Sequence, residues 1–131
     1  MRSILLAMAA LVCTAPLAAQ TRHVVHVRGD AAKDEYSYSP ETVTAKRGDV
    51  IVFQVEGDGR HAISFEKGIP AAARDALNAG MPARVGELSG PLLSKGQEYV
   101  VTLSRDLPSG KYRFFCLPHR AYDEVGWLVV Q

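Results

Sequence analysis

A thiol and an imidazole stand three residues apart near the C-terminal end of the chain, in Cys116-Leu117-Pro118-His119, and a carboxylate follows at Glu124. Thiolate and imidazole together suit soft or borderline metals, copper and zinc first, and two such groups on a tight loop can point at one ion. Pro118 restricts that loop and removes an N–H that would otherwise be free to bond the sulfur. Taken alone, Cys-x-x-His reads as a buried thiol beside a surface histidine. A further donor is available in His61, just past the glycine turn Gly57-Asp58-Gly59 and at the entrance of a short strand.

The cysteine count sharpens the reading. The chain has two cysteines. One, Cys13, falls in an N-terminal stretch built like a secretory signal: Met1-Arg2, an apolar run Ile4 to Val12 too short to span a bilayer, and small residues up to Ala19. We read residues 1–19 as a signal peptide removed on export and residues 20–131 as one domain. Val12 is too bulky for lipoprotein cleavage before Cys13. Cys116 is then the lone thiol of an exported domain, and metal ligation would both protect and employ it. Of the 15 Lys and Arg residues only Arg2 lies in the leader, so the rest balances the 14 Asp and Glu. That balance gives no support for nucleic acid or an anionic membrane surface as partner.

The elements that must position these donors are short strands. His23–Val27, Val43–Ala45, Val50–Glu56, His61–Phe65, Gln97–Leu103, Lys111–Cys116 and Val125–Val130 combine β-branched and aromatic residues with turn signals between them, and predict an all-β sandwich. Pro40 allows only an edge or irregular strand start, and residues 31–37 read as a polar connection. In Gln97–Leu103 the residues Tyr99, Val101 and Leu103 share a face. The exception lies at residues 69–93: Pro70 followed by an alanine-rich run predicts a helix over about 70–80, with Gly80 as its stop and a Gly/Pro-punctuated loop behind it. This segment reads as an insertion covering one side of the sandwich.

Three stretches now carry a resemblance. Tyr38-x-Pro40-x-x-Val43-x-Ala45-x-x-Gly48-Asp49-x-Ile51, Gly59-Arg60-His61-Ala62-Ile63-Ser64-Phe65, and Ser109-Gly110-Lys111-Tyr112-x-Phe114-x-Cys116-x-Pro118-His119 follow one another in the order found in cupredoxins, small blue-copper proteins of the plastocyanin, pseudoazurin and halocyanin type. The chain resembles that family over essentially all of residues 20–131. The resemblance implies a Greek-key β-sandwich holding one copper ion, with Cys116 as thiolate and His61 and His119 as imidazole ligands in a near-trigonal plane. It also implies a monomeric carrier that passes single electrons between transient protein partners in the periplasm or another extracytoplasmic space, without membrane insertion after leader removal.

Two positions depart from the family pattern. The family's axial methionine has its place at Glu124, with the spacing from His119 kept. Three readings stand open: Glu124 binds axially, lowering the potential and shifting the colour from blue toward green or red; it turns to solvent; or Cys-His-His-Glu forms a tetrahedral zinc site. The other departure is Ala62, where relatives often carry an asparagine that ties the ligand loops together, so the site must be supported differently. Asp123 ranks behind Glu124 as a donor, His23 and His26 read as surface residues, Tyr122 and Trp127 as packing residues, and Arg120 as a solvated arginine. An enzyme with coupled coppers is disfavoured, because Phe115 and Leu117 rather than histidines flank Cys116 and the whole chain has four histidines. A copper or zinc module for metal handling or sensing remains as the alternative to a carrier.

Overall fold

The computed structural model describes residues 19–131, so the leader, with Cys13 in it, lies outside the described residues apart from Ala19. The described residues form eight strands: β1 Arg22–Asp30, β2 Glu35–Ser39, β3 Thr42–Ala45, β4 Val50–Val55, β5 Ser64–Phe65, β6 Glu98–Thr102, β7 Gly110–Phe115 and β8 Val125–Val130. They form two four-stranded sheets, β2-β1-β4-β6 and β3-β8-β7-β5, with β1/β4 and β3/β8 parallel and the other neighbours antiparallel. One core joins the sheets. Val25, Val27, Ile51, Phe53, Tyr99 and Val101 of the first meet Val43, Ala45, Tyr112, Phe114, Leu128 and Val130 of the second. Each set alternates along its strands, as a sheet with one face on the core requires.

Under the site the core is aromatic. The Phe114 ring packs edge-on against Tyr38 and Phe53, with centroids 4.9 and 5.2 Å away. It lies over Gly126, its register partner on β8, where an added Cβ would come within 2.4 Å of the ring.

Two sequence expectations need correction. Residues 31–37 are not all connection: β2 begins at Glu35 and pairs antiparallel with β1. Its alternation is weak because it is an edge strand with little to bury, so the sequence pattern conceals it. The stretch His61–Phe65 contributes only Ser64–Phe65 to a named strand, and Ala62 to Phe65 are all buried. It does not alternate because both of its sides are covered.

The helix α1 Ala71–Gly80 is where expected, behind Pro70. Gly80, however, is its last residue rather than a left-handed cap. Its Cα approaches β6 so closely that a Cβ would sit 1.8 Å from the Thr102 carbonyl oxygen. Gly80→Ala should therefore cost about 2–3 kcal/mol through forced displacement of the helix. A lower urea midpoint at unchanged m-value would show it, and an unchanged midpoint would contradict it.

Behind the helix, the second half of the insertion runs antiparallel to the His61 segment. Leu93 and His61 exchange backbone hydrogen bonds of 2.9 and 2.7 Å, the Gly90 N–H donates to the Ile63 carbonyl, and the Phe65 N–H to that of Leu88. The loop is itself tied down by the Asn78 side chain, which accepts the Leu88 N–H, and by the Tyr99 hydroxyl, which donates to the Pro82 carbonyl. The insertion thus braces the segment that carries His61 as well as covering the sandwich.

Candidate metal centre

Cys116 follows directly on the last residue of β7, and Glu124 directly precedes the first residue of β8. The Cys116 N–H donates to the Glu124 carbonyl at 3.0 Å, closing the neck of the loop between them. Inside the loop the His119 N–H donates to the Cys116 carbonyl and the Tyr122 N–H to that of His119, and one 3-10 turn spans Arg120–Tyr122. Asp123 then takes a left-handed conformation, φ 56°, which Asp tolerates better than most residues, and the chain swings Glu124 inward. Asp123 itself is exposed.

Four donor groups converge here. One atom each from His61, Cys116, His119 and Glu124 lies within 4.8 Å of the others, and all four residues are buried. His119 is the most exposed of them at 8%. Of the three readings left open for Glu124, the solvent-facing one does not hold: its side chain is fully buried, with Oε1 2.9 Å from His61 Nδ1 and Oε2 2.8 Å from His119 Nδ1. The Cys116 Sγ is 3.5 Å from His119 Nδ1.

Hydrogen bonding assigns the protons. His61 Nε2 lies 2.9 Å from the Asp58 carbonyl, which can only accept, so Nε2 carries hydrogen and Nδ1 is the nitrogen that faces the cluster. That tautomer leaves Nδ1 available to a metal, with the outer N–H fixing the ring plane. Without metal, the 2.9 Å approach of Nδ1 and Oε1 requires one hydrogen between them. Burial opposes charge on His61, but the Glu124 hydrogen bond and carboxylate, with the Asp58 carbonyl, outweigh it and raise the imidazole above its ordinary value. The Cys116 thiol is pushed up to about 12, by burial first and the Glu124 carboxylate next, against the lowering effect of the Ala62 and His119 N–H groups. A bare thiol so placed is protonated and unreactive near neutrality.

The Ala62 N–H donates to the sulfur at 3.4 Å, so the sulfur still receives a backbone donor although Pro118 offers none. The Tyr38 hydroxyl donates to the Ala62 carbonyl at 3.2 Å. Together with the Leu93 pairing, these bonds replace the tie that an asparagine at position 62 would have supplied.

The donor set fits one soft or borderline ion: a thiolate, two imidazole Nδ1 atoms and a carboxylate, in a pocket whose polar atoms are all satisfied among the described residues. Loading must expel the Cys116 proton and the one between His61 and Glu124. Apparent affinity should rise with pH below the thiol value of about 12, roughly tenfold per unit for each proton released. Zinc or copper titrations at about pH 6, 7 and 8 check this. A slope of log K against pH of one or more is expected, and a flat profile contradicts it.

The other singled-out residues lie elsewhere. His23 and His26 are half-buried, each beside a carboxylate, Asp49 and Glu56 respectively. Arg120 is not simply solvated: it pairs with Glu66 and sits over the Phe115 ring at 4.4 Å. Trp127 is half-buried with Lys111 over its ring, whereas Tyr122 is 46% exposed at the rim of the site. Tyr36 was missed. Its ring stacks on that of His119 at 3.6 Å and 10°, a contact invisible while residues 31–37 read as connection.

Comparison with known proteins agrees with this geometry. Plastocyanin from Nostoc punctiforme is 29% identical over 129 residues, covering 98% of this chain and 88% of that protein. Plastocyanin from Rumex obtusifolius is 33% identical over 95 residues, covering 72% and 88%. Among solved structures, the oxidized form of plastocyanin from Dryopteris crassirhizoma superposes with a TM-score of 0.63 at 25% identity, covering 82% of this chain and 99% of that one. Amicyanin from Paracoccus versutus superposes with a TM-score of 0.58 at 25% identity, covering 88% and 85%. The family described as copper binding proteins, plastocyanin/azurin family, matches residues 25–131. With its two-sheet sandwich and its buried thiol, imidazoles and carboxylate, the chain belongs to the plastocyanin/azurin family of copper-binding proteins.

Proposed function

We propose that this protein is an exported single-electron carrier in which His61, Cys116, His119 and Glu124 hold one copper ion. The observation that carries the reading is the convergence of those four donors in one buried cluster. In this reading Cys116 would bind as thiolate, His61 and His119 through Nδ1, and Glu124 through its carboxylate. Bound copper would supply one-electron storage as Cu⁺ and Cu²⁺. The chain's part is to keep the donors still. Asp58 orients His61, the insertion braces its backbone, and the closed neck at Cys116 and Glu124 fixes the other three donors.

Export is supported by the leader-like N-terminus and by the lone thiol among the described residues. No helix among the described residues is long and apolar enough to cross a membrane. The partners would be redox proteins that bind transiently, the carrier itself acting as a monomer.

A second reading, metal handling or sensing, is favoured by the carboxylate between the imidazoles: it is a harder donor than a thioether and favours Cu²⁺, and zinc fits the same four donors. Absorption spectroscopy and voltammetry of the copper-loaded protein separate the two. A carrier shows intense thiolate-to-Cu²⁺ absorption and a reversible one-electron wave. Strong binding without a reversible wave would leave metal handling as the function.

A further inference from the structure

Tyr36 sits on the edge strand β2 opposite Gly29 of β1. Gly29 has no side chain for a reason that bears on the metal centre: a Cβ there would lie 2.9 Å from the Tyr36 ring and 2.8 Å from the Asp58 carbonyl oxygen. The bare backbone lets the Tyr36 ring lie down across its neighbour and reach His119. The two rings are then nearly parallel, 10° apart, with centroids separated by 3.6 Å. Gly59, at φ 87°, lies alongside the same imidazole, and a Cβ there would stand 3.5–3.6 Å from its Cε1 and Nε2. The Tyr122 ring lies near Tyr36 as well, tilted, with centroids 5.4 Å apart.

His119 needs such support more than His61 does. The outer nitrogen of His61 is tied to the Asp58 carbonyl, which holds its ring plane. Among the described residues, the hydrogen-bond partners of the His119 ring are Cys116 and Glu124, both at Nδ1 on the inner side. Among the described residues nothing comparable to Asp58 fixes its outer edge, yet its side chain is 11% exposed, against none for His61. A flat ring lying on an imidazole supplies orientation through dispersion and quadrupole attraction without consuming a nitrogen.

We propose that Tyr36 is the positioning residue for His119: its stacked ring takes the place of an outer hydrogen bond, setting the plane in which Nδ1 meets the ion and closing that side of the site to water. Gly29 is the matching concession in β1. The inference rests on His119 being a ligand, as proposed above, but the stack itself is a property of the chain and can be read without metal.

The test uses the wild-type protein, Tyr36→Phe, which keeps the ring and loses the hydroxyl, and Tyr36→Leu, which keeps bulk and loses the ring. In the metal-free protein the His119 ring protons should be shifted upfield by the neighbouring ring in the wild type and in Tyr36→Phe, and should return toward ordinary positions in Tyr36→Leu. In the copper-loaded protein Tyr36→Leu should release copper to a chelator roughly three- to tenfold faster, the scale expected of one lost aromatic pair. Its thiolate-to-Cu²⁺ bands and potential should also move, while Tyr36→Phe stays within about twofold of wild type in release rate. Equal ring-proton shifts in all three proteins, or Tyr36→Phe behaving like Tyr36→Leu, would overturn the proposal. So would a lost ring shift with unchanged copper release and spectrum. Failure of the wild type to bind copper would overturn the ligand assignment as well, which tells the two failures apart.

Discussion

Replacing Glu124 by methionine should raise the reduction potential of the copper-loaded protein by about 100–200 mV, since one electron gives 59 mV per tenfold change in relative affinity and two to three decades of Cu²⁺ preference are at stake. The colour should move from green or red toward blue. The cause is the donor exchanged: a buried carboxylate between two imidazoles is anionic and hard, whereas a thioether is neutral and soft and favours Cu⁺. The same substitution has an opposite consequence without metal. Glu124 is hydrogen-bonded to both imidazoles in a fully buried setting, and a thioether replaces neither bond. The metal-free variant should lose about 3 kcal/mol, the usual scale for breaking a buried pair on one side, and its urea midpoint should fall. Glu124→Gln keeps an acceptor and removes the charge, so its potential should lie between those of the two proteins. If neither spectrum nor potential moves in Glu124→Met, the carboxylate is not a ligand and the axial assignment is wrong.

Cys116→Ala carries the other large effect. The sulfur belongs to the sole thiol among the described residues and is wholly buried beside the Ala62 N–H. Removing it should abolish the intense visible absorption. Copper affinity should fall by about a thousandfold or more, because even a group outside the ligand set commonly costs 10–100-fold. The fold should survive. The lost atom leaves a small cavity costing on the order of 1 kcal/mol, and the neck of the loop is held by backbone bonds that alanine retains. Visible spectra, copper titration and circular dichroism of the same sample separate loss of the site from loss of structure. Retention of the visible band in Cys116→Ala would remove the basis for assigning a thiolate–copper site.

What could be read from residues alone was what depends on near neighbours. Cys116 and His119 share a loop whose length and proline are local facts, and Val50–Val55 or Val125–Val130 advertise strands through their own composition. The donor types named the metal class before any contact was known, because thiolate and imidazole are soft or borderline wherever they meet. The helix was equally legible from Pro70 and its alanines. Gly80 was not, because its reason is the Thr102 carbonyl on another element rather than its own backbone angle.

The tertiary structure decided the rest. Whether Glu124 faces solvent or the donor cluster turns on the left-handed residue before it and on partners such as His61, 63 positions away along the chain. That His61 presents Nδ1 follows from a carbonyl at Asp58, and that it stays in place follows from Leu93 in an insertion with no metal-binding residues of its own in the cluster. Tyr36 belongs to the site only because edge strand β2 pairs with β1 in one register, opposite a glycine. Periodicity and turn chemistry are written residue by residue, whereas sheet register, ring stacking and the choice of imidazole nitrogen arise only when distant stretches are packed against each other at fixed distances.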